Sequence, residues 1–385
     1  MNLNPTFPYQ TTKERIRFID MARFIAMALV FYGHFIERIM YLKNPTAAAQ
    51  YKFIYSFHMV LFFVLAGYVA KQSDLSFGFG KFLKQRMLSR LLPFVFFTVV
   101  FMLAAAIFPG DFFHLKLPSL QGYFDGLANT AFGIPMFCVP SWFLMIIFAV
   151  EMVHYWAFRV LTSDRKIVAG MIFFYVAGYL LNWKFDIVNP LKGRVIGWNY
   201  LFIHEAIFMY AFYLLGVWMR RRAFLREVRS PMILLTAGMI AFFIVLFTYR
   251  LNRGLFSFPP LDAVVILFSS HGHFIWFPVT AVAGCLTVFF VARAMPAWAP
   301  MVWMGKNTLI LMCLNGIFYH YINPPMAKWV VDHLPGTPLT VLWVGCTMTV
   351  GSLAVCMPLI ALLKRWLPQL VGRPAVAGPL LKNLI

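Results

Sequence analysis

Ten apolar stretches of roughly 20 residues each follow one another along the chain, separated by shorter polar segments. A helix of this length matches the roughly 30 Å hydrocarbon core of a bilayer. Because lipid offers backbone groups no hydrogen-bond partner, such stretches cross a membrane as helices. We therefore predict an all-α, polytopic membrane helix bundle of about ten transmembrane helices. The predicted helices span about 17–37, 51–71, 86–108, 141–161, 167–183, 199–219, 231–249, 274–293, 303–321 and 338–363.

The composition supports this class. Of the 385 residues, 62% are apolar and only 12% are charged, whereas soluble domains have roughly 45–50% and 25%. We expect a single membrane-embedded domain over residues 1–385. It would have a short cytoplasmic tail at 1–14, a long outer or partly re-entrant loop at 109–140, and a polar cytoplasmic tail at 364–385. The five cysteines form no CxxC pair, so we expect neither a metal site nor a disulfide framework.

The basic residues predict the orientation. With the N-terminus inside, the inner segments hold roughly twice as many Lys and Arg residues as the outer loops. This places both termini in the cytoplasm, and it explains the net charge of +20 without nucleic acid as a partner. In this orientation His34 and His58, on consecutive antiparallel helices, lie at similar depth. His58 is therefore a candidate to face His34 across a cavity.

The first apolar stretch, residues 16–37, carries the side chains Asp20, Arg23 and His34. Charged or titratable groups at membrane depth are costly and usually functional. Asp20 and Arg23 are three residues apart on one helical face and can pair. His34 lies eleven residues beyond Arg23, about 16 Å along a helix, where it can take a proton from an incoming hydroxyl. The alternative for His34 is helix packing. We expect Glu37 to be solvated at the helix end.

Other polar residues in or beside apolar stretches have two interpretations. Arg86 and Arg90 are one turn apart, with Lys84 just before them. They suit either an anion site for a phosphate-bearing donor or contacts with phospholipid headgroups. Glu151 and Glu205 are acids within apolar spans, and Glu205 is a candidate to line a cavity.

Two small features predict local geometry. Gly67 should allow a close approach between helices. Pro93 should kink the third helix unless it still lies in the first turn, because proline lacks an amide hydrogen.

Several segments resemble, in order, those of the acyltransferase 3 family of membrane acyltransferases. In that family's first helix an Asp and an Arg precede a His by about eleven residues, as in IDMARFIAMALVFYGH. FIYSFHMVLFFVLAGY resembles the second-helix segment and FLKQRMLSRLLPFVFF the third. SWFL is similar to the start of the fourth helix, and MGKNTLILMCLN to the penultimate helix. The resemblance extends over nearly the whole chain.

The resemblance implies a ten-helix enzyme of the bacterial inner membrane. Such enzymes move an acyl group, usually acetyl, from cytoplasmic acyl-CoA to a hydroxyl of an extracytoplasmic carbohydrate or similar acceptor. The implied partners are a glycan or glycolipid and the lipid bilayer, with acyl-CoA as donor and no metal. By motif position, His34 is the essential histidine, acting as general base or acyl carrier. Asp20 and Arg23 are its polar pair, and Arg86 and Arg90, with Lys84 nearby, face the donor.

One departure concerns the penultimate helix, where the family often has His and this chain has Asn315. Asparagine can hydrogen-bond but cannot act as a base near pH 7. Either Asn315 or His320, one turn further on, takes that place. Trp142, in SWFL, is a further cavity candidate. Two other functions stay open on the sequence: a proton-coupled secondary transporter and a non-catalytic partner in glycan assembly.

Overall fold

The computed structural model describes residues 17–112, 115–131, 133–184, 202–225, 228, 230–254, 256 and 261–385. The predicted tail at 1–14 lies outside the described residues. These residues form sixteen α-helices and no β-strand. In chain order they are α1 (Arg17–Tyr41), α2 (Pro45–Tyr55), α3 (His58–Tyr68), α4 (Gln72–Leu75), α5 (Phe79–Arg86), α6 (Leu92–Ile107), α7 (Leu120–Ala131), α8 (Trp142–Ala157), α9 (Asp164–Lys184), α10 (Ile203–Arg221), α11 (Pro231–Thr248), α12 (Trp276–Ala294), α13 (Ala299–Gly305), α14 (Thr308–Ile317), α15 (Asn323–His333) and α16 (Pro338–Trp366).

Eight helical segments in the described part of the chain are long and apolar enough to cross a membrane. They are Arg17–Tyr41, Pro45–Tyr68, Phe79–Ile107, Val139–Ala157, Asp164–Trp183, Pro231–Thr248, Trp276–Ala294 and Pro338–Trp366. The segments Ala299–Gly305 and Thr308–His333 make a ninth if the pair counts as one span bent by 83°. The predicted all-α, multi-pass membrane architecture is confirmed.

The helix α1 lies at the centre of the bundle. It packs against α2, α3, α12, α13, α14, α15 and α16. Most of its apolar side chains are buried, because neighbouring helices rather than lipid surround it. Any polar group on α1 must therefore find its partners inside the protein.

Three predicted spans are interrupted helices. The second breaks between α2 and α3 at residues 56–57. The third begins at Phe79 and passes through a π-helical turn, Met87–Leu91, before α6. Pro93 sits in the first turn of α6, where its missing amide hydrogen is tolerated. A second π-helical turn, Phe318–Ile322, joins α14 to α15.

Glycines bring α3 and α10 into contact at backbone distance. A Cβ atom on Gly67 would lie 1.9 Å from the carbonyl oxygen of Tyr213, and one on Gly216 would lie 1.9 Å from that of Val64. Gly67 thus allows the close approach that the sequence predicts, with α10 as the partner helix. Small residues commonly permit such contacts between membrane helices.

The segment 109–140, where the structure describes it, packs against the π-helical turn at His320. The Asp111 amide donates to the His320 carbonyl at 2.8 Å. The ring of Phe112 stacks on that of His320, with centroids 4.5 Å apart. Phe137 and Cys138 are fully buried. The segment therefore forms part of the wall around the polar end of α1.

Candidate active site

A cavity of about 410 Å³ lies among α1, α2, α3, α7, α8 and the segment 261–268. We call it the large cavity. Its hydrogen-bonding side chains are His34, Glu37, Tyr41, Tyr51, Tyr55, His58, Asp125, Asn129, Trp142 and Tyr319. Three candidates named from the sequence, His34, His58 and Trp142, therefore share one cavity.

His34 is held by a single amide. Its Nδ1 hydrogen-bonds to Oδ1 of Asn315, 281 residues away in the chain. Because a carbonyl oxygen has no hydrogen, Nδ1 is the donor and Nε2 keeps its lone pair. Among the described residues Nε2 has no hydrogen-bond partner. The ring of Tyr319 packs edge-to-face against the imidazole of His34, with ring centroids 4.9 Å apart, and holds its other side. The arrangement presents one basic nitrogen to the large cavity.

Asn315 rather than His320 contacts His34. The ring of His320 donates from Nδ1 to the Asp111 carbonyl at 2.8 Å and accepts from the Val139 amide at 3.4 Å. It therefore braces the 109–140 segment. Asn315 is fully buried, and its Nδ2 finds no partner in the described part of the chain. The departure from the family pattern thus falls on the residue that orients His34.

Glu37 is buried, so the expectation that it is solvated is wrong. Its side chain is 5% exposed and accepts hydrogen bonds from three tyrosines. The donors are the hydroxyls of Tyr41, Tyr55 and Tyr319, at 3.0, 3.0 and 3.1 Å. The sequence-based prediction failed because α1 continues to Tyr41 instead of ending near residue 37. A buried carboxylate needs such donors to replace its water.

His58 and Trp142 form a further part of the wall of the large cavity. His58 donates from Nδ1 to the Ile54 carbonyl at 3.0 Å, a bond made across the break between α2 and α3. Its ring meets the edge of Tyr55, with centroids 4.5 Å apart. Trp142 begins α8 and is almost fully buried. Both rings add aromatic surface to a cavity that already contains four tyrosines.

Arg86 and Arg90 lie in an ion-pair cluster. Arg90 makes two hydrogen bonds to Glu151, at 2.9 and 3.2 Å. Arg86 pairs with Asp74 at 2.7 Å and lies 3.7 Å from Glu151. Two guanidinium groups thus face two carboxylates, and the cluster as described has no excess positive charge. Lys84, two residues before Arg86, is exposed.

The predicted pair of Asp20 and Arg23 is confirmed, at 3.6 Å. Asp20 is buried because Gly305 packs on its backbone, where a Cβ atom would lie 1.8 Å from the Asp20 carbonyl oxygen. Arg23 lines a second cavity of about 110 Å³, the small cavity, together with Arg90 and Thr308. The first helix therefore has one functional candidate in each cavity, Arg23 in the small one and His34 in the large one.

Glu205 lines neither of these two cavities. Its Oε2 lies 3.1 Å from Nε2 of His271 and 3.2 Å from Nδ2 of Asn182. Glu205 is fully buried, and this cluster joins α9 and α10 to the loop that precedes α12. The neighbouring His204 bonds to Ser269 of the same loop at 3.1 Å. Glu205 thus fixes a loop whose earlier part, 261–268, lines the large cavity.

Sequence reasoning missed Glu37, Tyr55 and Tyr319 as site residues. Tyr51 and Tyr55 are four residues apart in α2, and their rings stack at 3.7 Å between centroids. That i, i+4 spacing signals one shared helical face, but not the helix that it faces. Among the described residues no group of three or more His, Cys, Asp or Glu side chains could hold a metal ion.

Comparison with known proteins identifies a family for the chain. The family model described as "Acyltransferase domain" matches residues 16–361. The nodulation protein NolL of Mesorhizobium japonicum is 32% identical over 102 residues. That match covers 26% of this chain and 27% of the relative, so only about a quarter of either protein is compared. No solved structure matches the chain significantly.

Proposed function

The chain belongs to the family described as "Acyltransferase domain", and from that membership we propose that it transfers an acyl group, most often acetyl, from cytoplasmic acyl-CoA to a hydroxyl of an extracytoplasmic carbohydrate or similar acceptor. It is a multi-pass membrane acyltransferase. The bacterial inner membrane and cytoplasmic termini are part of the proposal. The observation that carries it is His34, whose Nδ1 is held by Asn315 while Nε2 is left for the large cavity.

The reaction needs one base at the acceptor hydroxyl. The acceptor oxygen attacks the thioester carbonyl carbon and gives its proton to Nε2 of His34. As the new C–O bond forms, the C–S bond breaks and the CoA thiolate takes that proton. The products are the acyl ester and CoA thiol. The Asn315 carbonyl stays on the Nδ1 hydrogen throughout and stabilises the transient imidazolium. General-base help of this kind contributes typically 10²–10⁴ in rate.

The same Nε2 could instead attack the thioester and carry the acyl group as an acyl-histidine. Both routes use the lone pair that Asn315 leaves available. They differ in kinetics, because an acyl-histidine gives a burst of CoA release in the absence of acceptor.

The walls of the large cavity support a carbohydrate acceptor. Aromatic rings offer flat apolar surfaces, and a few polar groups among them fix orientation. Here Trp142 and Tyr51 provide rings, while Asp125 and Asn129 on α7 provide hydrogen-bonding groups. We propose that a sugar ring packs on the rings of Trp142 and Tyr51 and hydrogen-bonds to Asp125 and Asn129.

The donor is proposed to bind through Arg86 and Arg90, with Lys84 in support. Guanidinium groups bind phosphate bidentately. Their present partners, Asp74 and Glu151, keep them ordered. Phosphate groups of CoA would therefore bind in competition with, or beside, two carboxylates.

The proposal is tested with purified protein in detergent, by measuring free CoA released from acetyl-CoA with and without mixed bacterial surface glycans. We expect glycan-stimulated release that is lost in His34→Ala. The matched control is His333→Ala, because that histidine is exposed and bonds only to its own helix at the Trp329 carbonyl. Near-normal transfer by a folded His34→Ala protein would contradict the assignment. If neither wild type nor His34→Ala releases CoA, and wild type takes up substrate in proteoliposomes, a transporter is favoured.

A further inference from the structure

The large and small cavities lie along the same helices. On α1 the large cavity is lined by His34 and the small cavity by Arg23. On α3 the corresponding residues are Met59 and Phe62. The two cavities are therefore arranged one after the other along the helix axes, with the small one nearer the start of α1.

On α3 the residues that line the two cavities come within about one helical turn of each other, whereas on α1 they are eleven residues apart. Met59 and Phe62 are three residues apart, a rise of about 4.5 Å. On α14, Met312 lines the small cavity, and three residues later Asn315 binds His34. On α8, the adjacent residues Trp142 and Phe143 line the large and the small cavity respectively.

Aromatic side chains of α3 and α8 contact one another beside that turn. The ring of Phe143 lies 5.5 Å from that of Phe62 and 5.2 Å from that of Phe63, between centroids. It also meets Trp142 edge-on at 6.2 Å. Phe143 is only partly buried, so its ring has open space beside it. Among these rings, Phe143 touches residues of both cavities.

The small cavity has the chemistry of a short acyl thioester. Its walls are mostly apolar, with side chains such as Leu65, Leu144 and Met312. Its polar groups are Arg23, Arg90 and Thr308. The side chains of Arg23 and Thr308 can donate to the carbonyl oxygens of a pantetheine arm, and Arg90 marks the end at which the donor phosphates are proposed to bind. At about 110 Å³ it is a quarter of the size of the large cavity.

We propose that the small cavity binds the thioester end of the acyl donor, and that Phe143 determines which acyl chain lengths are transferred. This inference rests on the proposed function. The acyl carbonyl must pass these aromatic side chains to reach the acceptor at His34. The Phe143 ring stands at that crossing, so a short acyl group passes and a longer one is obstructed. The transfer step itself is the acyl transfer from thioester to hydroxyl described above, with Phe143 as a positioning and specificity residue.

The test compares acetyl-, butyryl- and hexanoyl-CoA as donors for one acceptor, with ester product measured by mass spectrometry. For Phe143→Ala we expect the hexanoyl-to-acetyl ratio of kcat/KM to rise at least tenfold over wild type. Phe143→Leu, which keeps more of the packing, should raise it less. The matched control is Phe96→Ala, a half-buried phenylalanine of α6 that lines neither cavity, and its ratio should equal that of wild type.

The outcomes separate the two proposals. If wild type transfers acetyl but the ratio is unchanged in both Phe143 variants, the role of Phe143 is wrong and the proposed function stands. If Phe96→Ala raises the ratio as much as Phe143→Ala does, the effect is general loosening and the inference is again wrong. If wild type transfers from none of the three donors, the proposed function fails and this inference fails with it. Should Phe143→Ala not fold, the ratio in Phe143→Leu decides alone.

Discussion

The imidazole of His34 and the amide of Asn315 form a buried hydrogen bond between α1 and α14, 281 residues apart in the chain. The resemblance to the acyltransferase 3 family implies a histidine at the position where this chain has Asn315. A histidine partner could exchange protons, whereas an amide oxygen only accepts a hydrogen bond. In this chain His34 is therefore the one titratable member of the pair.

Replacing Asn315 should impair transfer through His34. Asn315→Ala removes the acceptor that orients Nδ1, and we expect kcat to fall at least tenfold, a part of the 10²–10⁴ that a positioned base contributes. Asn315→Asp keeps an oxygen acceptor and should retain more activity than the alanine variant. CoA release at saturating donor measures both. Equal activity in all three proteins would show that Asn315 does not orient the base.

The cluster of tyrosines around Glu37 should stabilise the fold. Tyr55→Phe removes one of three hydrogen bonds and should cost about 0.5–1.5 kcal/mol. Glu37→Ala leaves three hydroxyls without their acceptor, two of them on the buried residues Tyr55 and Tyr319, and should cost more, about 1–3 kcal/mol. The control is Tyr123→Phe, because the Tyr123 hydroxyl has no partner in the described residues. Thermal unfolding in detergent is the measurement, and a Tyr123→Phe loss equal to that of Tyr55→Phe would contradict the prediction.

Arg90 and Glu151 allow structural and donor-binding roles to be separated. Glu151→Met alone leaves the guanidinium unpaired, and breaking a buried pair costs about 3–5 kcal/mol. Because the Arg90 side chain is 26% exposed, we expect the lower end of that range. Arg90→Met with Glu151→Met removes both charges and should recover most of the stability.

The double variant then reports on the donor. If Arg90 binds CoA phosphate, the double variant should still have a raised KM for acyl-CoA although its stability is recovered. Its KM for the acceptor should be unchanged. Full recovery of both stability and KM would mean that the pair is structural only. Steady-state kinetics on the detergent-solubilised protein distinguishes these results.

The glycine contact between α3 and α10 should tolerate no side chain. Gly216→Ala places a methyl group 1.9 Å from the Val64 carbonyl oxygen, and such overpacking costs typically 1–3 kcal/mol. Gly351→Ala in α16 meets nothing within 4 Å and should be neutral or stabilising by up to about 1 kcal/mol, from helix propensity. Comparable unfolding temperatures for the two variants would refute the close contact.

The positions of the helices followed from the sequence, although Ile203–Arg221, in the predicted span 199–219, is not among the eight segments long and apolar enough to cross a membrane. Each predicted stretch contains a helix, because length and apolarity are local properties that the bilayer core selects directly. The breaks within the helices could not be predicted from the sequence. Pro93 signalled a disturbance in the third span, but the π-helical turn before it and the 83° bend near Lys306 depend on how neighbouring helices pack.

For the candidate site, too, the sequence predicts some features and not others. The sequence by itself determined that His34 and the pair of Asp20 and Arg23 lie on one helix about three turns apart, since helical rise and periodicity fix those relations. It also determined that charged side chains inside apolar spans must have partners. It could not determine which partners. Glu37 is buried by tyrosines from two other elements, Arg90 is paired with Glu151 from α8, and His34 is oriented by Asn315. Only the tertiary structure decided these contacts, because they depend on which faces of distant helices meet.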